Sequence, residues 1–130
     1  MWRLIRRRNG DEGAAAVEFA LVLPILVVLL FGIIEFGMVF DAQLQVTHAA
    51  REGARMASVG GNVASAVAAQ TSGLVASRLS VVGPLAKGGA SDPRGFYYEV
   101  TVNYTYPLDI PLWGERDLHL TSTAQMRKEN

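Results

Sequence analysis

FALVLPILVVLLFGII, Phe19 to Ile34, is a run of sixteen residues without a charge or a strongly polar group. Glu35 interrupts it, and FGMVF carries the apolar character on to Phe40. As a helix, Phe19–Phe40 is roughly 33 Å long at about 1.5 Å per residue, enough to cross a hydrocarbon core of about 30 Å. A helix apolar on every side needs either a large protein core or a bilayer around it. A chain of 130 residues with formal net charge zero has room for one small domain, which cannot enclose such a helix. The run therefore reads as a single membrane span.

The flanks give a direction. Arg3, Arg6, Arg7 and Arg8 precede the span, whereas Arg51 and Arg55 follow at greater distance. Asp11 and Glu12 offset part of that charge, but acids contribute little to the rule that basic flanks stay inside. The N-terminus is expected in the cytoplasm and the chain beyond the span outside. A basic stretch before an apolar run also describes a secretory signal peptide. Here the run is long and no A-x-A site closes it. The small residues Gly13, Ala14, Ala15 and Ala16 lie before the run instead of after it.

RRRNGDEGAAAVEFALVLPILVVLLFGIIEFG, followed by AAREGAR, resembles the TadE-like pseudopilins of tight-adherence (Tad/Flp) pilus systems, closely from Gly13 to Ala57 and in outline beyond. That resemblance implies cleavage by a membrane aspartic peptidase, the prepilin peptidase, after a glycine, with glutamate as the fifth mature residue. On this sequence the cut falls between Gly13 and Ala14, and Glu18 is mature residue five. Ala14 stands where major type IV pilins commonly have Phe, and Asp11 and Glu12 make the end of the leader acidic.

A glycine before the scissile bond lets the backbone approach a catalytic dyad closely. Glu18, at the edge of the span, is costly there and calls for a partner. Either it reaches the headgroups, or it pairs with the new α-amino group of Ala14 in a neighbouring subunit, as the resemblance implies. Pro24 removes one helical hydrogen bond, which membrane helices tolerate. Glu35 is expected at the outer boundary, with a contact to another subunit as the alternative.

DAQLQVTHAAREGARMAS, Asp41 to Ser58, continues as a stalk helix. Ala49 and Gly53, like Ala50 and Ala54, stand four apart and permit close approach by another helix. Arg51 and Arg55 share a side, either as a solvated face or as partners for an acid such as Glu52 or Asp41 on a neighbour. Ala49, Arg51, Glu52, Gly53 and Arg55 are thus the candidate subunit contacts. Gly60-Gly61-Asn62 ends the helix. A second helix is expected from about Val63 to Leu79, ended by Gly83-Pro84, with KGGASDPRG as a loop.

From Phe96 the period changes to two. Phe96, Tyr98, Val100, Val102, Tyr104 and Tyr106 share one strand face; Leu118, Leu120, Ser122, Ala124 and Met126 share another. PLDIPLWGERD joins them and looks too long for a tight hairpin. The expected fold is α+β: a long N-terminal transmembrane and stalk helix, a second helix, and a small antiparallel two-stranded C-terminal unit. The expected organisation is a basic leader over 1–13, a transmembrane-stalk helix over 14–58, and an exported head over 59–130.

With no cysteine, disulfides and thiolate chemistry are excluded. Neither His48 nor His119 has a second ligand at metal spacing, and no Walker loop, nucleophile elbow or paired-carboxylate cluster is present. No metal, cofactor, small-molecule substrate, nucleic acid or enzymatic activity is expected. The expected function is that of a structural pseudopilin in the bacterial cytoplasmic membrane, acting with other pilin subunits and the Tad machinery in adhesion or secretion, with the pilus itself as a further location. The alternative is an uncleaved signal-anchor protein whose head binds a protein partner.

Overall fold

The computed structural model describes residues 9–110 and 114–129. The arginines expected to set orientation, and the middle of the connection PLDIPLWGERD, lie outside these residues. The chain divides into two units, Met1–Ile34 and Glu35–Asn130.

The first unit is helical. Helix α1 (Asn9–Ser58) begins in it, and Pro24 lies inside the helix. The long aliphatics of its apolar run are all exposed, from Val28 at 38% to Leu21 at 71%. By length and composition the helix is able to cross a membrane. Burying each of these side chains is worth about 1.5–3 kcal/mol, so water is an unfavourable surrounding for the segment.

In the second unit, α1 continues from Glu35 to Ser58 and presents a stripe of small residues to the rest of the fold. Ala42, Val46, Ala49, Ala50, Ala54 and Ala57 are buried, and Val100 and Val102 are fully buried in the same core. Small side chains let the helix axis approach the sheet closely, leaving the bulk to be supplied by valines. Helix α1 stops at Gly60, whose φ of +72° suits the left-handed position after a helix end. Gly61 N–H donates to the Met56 carbonyl at 2.7 Å, closing the last turn.

Helix α2 (Val63–Gln70) is short. The Asn62 side chain caps it by accepting from Ser65 N–H at 3.0 Å. Val63 and Val67 point into the core. The expected helix to Leu79 is corrected: the chain leaves α2 at Thr71, whose hydroxyl donates to the Val67 carbonyl at 2.9 Å. A short 3₁₀ turn follows at Ala76–Arg78. Leu74 and Val75 continue the apolar stripe of α2 in sequence, but from Leu79 onward the chain, Ser80-Val81-Val82 included, pairs with a strand instead.

That strand makes the sheet three-stranded, not two-stranded. Strands β1 (Leu79–Gly88), β2 (Phe96–Ile110) and β3 (Gly114–Arg127) run antiparallel in the order β1-β2-β3. Gly83-Pro84, expected to end a helix, instead forms the irregularity between Val82 and Leu85 in β1. Gly83 has φ +115°, and a Cβ there would come within 2.6 Å of the Glu99 carbonyl oxygen. Only glycine fits this close backbone approach. The β2–β3 register runs from Tyr97↔Arg127 to Ile110↔Gly114. The long connection is thus mostly paired strand, leaving only residues 111–113 between the paired ends.

The inward face of β2 follows the period-two expectation at its centre. Val100, Val102 and Tyr104 are buried, whereas Phe96 at the strand start is exposed. Opposite them lie Ala124, Ser122 and Leu120 of β3. The Tyr104 ring packs edge-on against Tyr106 at 6.4 Å, and its hydroxyl accepts from Val75 N–H at 3.4 Å.

Candidate processing and assembly site

Gly13 and Ala14 lie within α1 of the first unit. A Cβ built on Gly13 meets nothing within 4 Å. No packing requirement within the described chain therefore explains a glycine here. Glu18 is exposed one and a half turns further on. Among the described residues its carboxylate enters no side-chain hydrogen bond or ion pair. Its neighbours Val17 and Phe19 are also exposed, at 62% and 60%. Among the described residues Gly13, Ala14 and Glu18 form no intramolecular constellation; all three are exposed.

The five residues of the stalk segment separate into two groups. Ala49 is fully buried, and Gly53 is buried against the chain's own fold. A Cβ on Gly53 would meet Val100 Cγ1 and Val67 Cγ2, each at 3.1 Å. The small-residue spacing therefore serves the approach of α1 to its own sheet and α2. Arg51, Glu52 and Arg55 point away from that core. Arg55 Nε and Nη2 donate to the two oxygens of Glu52 at 2.9 and 2.6 Å. This bidentate pair holds the Glu52 carboxyl below its ordinary value, chiefly through the hydrogen bond and secondarily through charge. Glu52 thus has a partner one turn away in its own helix. Asp41 likewise accepts from Gln45 Nε2 at 2.7 Å. Arg51 is exposed.

Sequence reasoning found no partner for Glu35. In the second unit its carboxylate accepts from Asp109 N–H at 3.3 Å. Tyr106 lies beside it, with its pKa pushed upward, first by burial and then by the Glu35 charge. The partners are 74 residues apart, beyond the reach of any local pattern.

The outward face of the sheet is polar and cross-linked. Thr101 and Thr123 share a 2.8 Å hydrogen bond, and Thr121 donates to Asn103 at 2.9 Å. Lys87 pairs with Glu99, whose other oxygen accepts from Gln125 Nε2 at 2.6 Å. These bonds depress the Glu99 pKa, Lys87 first. In the β1–β2 loop, Arg94 binds Asp92, donates to the Tyr97 hydroxyl at 3.0 Å, and lies 4.5 Å from the Tyr97 ring centroid. A concavity of about 590 Å³ along Gly88–Arg94 is open to solvent. Among the described residues no cluster of His, Cys, Asp or Glu has the geometry of a metal site.

Residues 13–55 match the family model described as TadE-like protein, about a third of the chain, beginning at the glycine singled out above. No curated protein and no solved structure matches the chain.

Proposed function

We propose that this chain, TadE-like over residues 13–55, is a structural pseudopilin, a minor pilin-like subunit acting in assembly of a Tad-type pilus or secretion apparatus. The observation that carries this is a wholly exposed apolar stretch of α1 lying within the TadE-like segment. That stretch has no cover among the described residues, so it needs lipid first and other apolar helices afterwards. The prepilin peptidase cuts between Gly13 and Ala14 on the cytoplasmic side, and residues 1–13 are the leader. The mature chain is then a transmembrane-stalk helix over 14–58 and an exported head over 59–130. Its partners are other pilin or pseudopilin subunits and the Tad machinery.

In the assembled state Glu18 pairs with the α-amino group of Ala14 on a neighbouring subunit. Its exposure, and the lack of a partner for it among the described residues, support this role. A carboxylate and an ammonium among apolar helices are each costly alone, so their pairing fixes the register between subunits. On the stalk, Arg51 and the Glu52–Arg55 pair remain accessible for polar contacts, whereas Ala49 and Gly53 act indirectly by shaping the head.

N-terminal sequencing of membrane-extracted protein tests the processing step, with Ala14 expected as the first residue. An intact Met1 in cells expressing the peptidase would refute it and favour an uncleaved signal anchor. Gly13→Ala should block maturation. Glu18→Ala should spare cleavage but impair assembly, and normal pili from both variants would refute the mechanism.

A further inference from the structure

We propose that the end of the head built from the β1–β2 loop, the start of β2 and the end of β3 binds an acidic glycan, taking up one sugar ring that bears a carboxylate. A concavity of about 530 Å³ lies there, lined by loop residues between Gly89 and Gly95 and by Phe96, Arg127 and Lys128. All of it belongs to the second unit. Phe96 is 59% exposed. A lone exposed aromatic is ordinary on a protein surface. What sets Phe96 apart is the pair of cations beside it.

The Phe96 carbonyl accepts from Lys128 N–H at 2.9 Å, which fixes Lys128 next to the ring's own residue. Arg127 stands opposite Tyr97 in the register. A Cβ on Gly95 would lie 3.7 Å from Arg127 Nε and Nη2, so the guanidinium runs along the loop backbone. Among the described residues the side chains of Arg127 and Lys128 enter no hydrogen bond or ion pair, whereas Lys87 is held by Glu99 and Arg94 by Asp92. Glu129 does not line the concavity; its N–H donates to the Ser58 carbonyl at 3.2 Å. The loop is shaped by its own bonds: Asp92 N–H donates to the Gly89 carbonyl at 3.1 Å, and Gly95 N–H to the Asp92 carbonyl at 2.8 Å. The concavity is therefore preformed, which lowers the entropic cost of filling it.

A sugar acid matches these groups one by one. The apolar C–H face of a pyranose ring fits the exposed ring of Phe96. The planar fork of Arg127 takes a carboxylate bidentately, with Lys128 as a second point charge. Asp92, also on the wall, is an acceptor for ring hydroxyls. A bare phosphate would leave Phe96 unused. A nucleic-acid strand needs a row of cations along its backbone, and here a carboxylate shares the wall with only two.

The test follows the backbone amide signals of Gly89, Gly95, Phe96 and Lys128 in the ¹⁵N-labelled full chain, held in non-ionic detergent, as trigalacturonate is added. These signals report the concavity alone, so attraction of the ligand to the N-terminal arginines does not register. Saturable shifts are expected at those amides, with Val100 and Val102 unmoved and no response to the methyl-esterified trisaccharide. Phe96→Ala should weaken binding about fivefold through lost apolar burial. Arg127→Gln should weaken it about tenfold through a lost charge-assisted hydrogen bond. No saturable shift at these amides, or equal affinity for the ester, would overturn the site. Equal affinity for tripolyphosphate or oligothymidylate, or a Phe96→Ala chain that binds trigalacturonate unimpaired, would reduce it to plain charge attraction and overturn it as well.

Discussion

Gly53 shows how one residue type carries two different messages. In sequence it is a small residue on a helix, spaced four from Ala49 and open to any close neighbour. In the structure the neighbours are Val100 and Val67, 3.1 Å from where a Cβ would stand. Two methyls beyond that Cβ have no space. Gly53→Val should cost about 1–3 kcal/mol through overpacking, read as a lower thermal midpoint of the detergent-solubilised chain. Gly53→Ala should cost less, because alanine recovers about 1 kcal/mol of helix propensity against its own crowding. Gly13 is the contrasting case. Nothing crowds it, so Gly13→Ala should not lower that midpoint, and should block maturation.

Elements were legible to different degrees. The apolar run of α1 and the alternation of β2 are long, periodic signals, and both elements form where the sequence puts them. The stop at Gly60-Gly61 was equally visible, since a left-handed glycine after a helix has a local cause. Helix α2 was located at its start but not its end. Thr71-Ser72-Gly73 offered a stop, while Leu74 and Val75 beyond it continued the apolar stripe of Val63 and Val67. What decides is the pairing of Leu79–Val82 with Thr101–Tyr104, a long-range hydrogen-bond ladder that outweighs weak helix propensity. Because α2 has only two turns, its cap matters. Asn62→Ala should cost about 0.5–2 kcal/mol, measurable by hydrogen exchange as faster opening of the amides of residues 65–70 than of those in β2.

At the scale of the whole molecule, charge is arranged to favour a broad pH plateau. Glu52, Asp92 and Glu99 have lowered pKa values, caused first by hydrogen bonds from Arg55, Arg94 and Lys87 respectively. Their contributions are present above the ordinary values of 4.5 for Glu and 3.8 for Asp, and are lost as pH falls through the depressed values. Tyr106 has the opposite sign: raised above 10.0, it favours the fold below that pH and loses its contribution as pH rises further. The thermal midpoint of the head should therefore be flat between about pH 5 and 9, falling beyond each end. Because the three carboxylates are only half-buried and stay within reach of solvent ions, the acid limb should be shallower in high salt.

The sequence by itself determined the apolar span, the stalk that continues it, the strand periodicity of β2 and the TadE-like character of the N-terminal segment. Each is written in consecutive residues, where periodicity and composition act through local physics. Tertiary structure alone decided the third strand, the short connection after Ile110, the assignment of Ala49 and Gly53 to the chain's own core, and the partner of Glu35. Those outcomes depend on which distant segments meet. Pairing is selected by the backbone hydrogen bonds and close packing of the folded state, and no single segment contains that information.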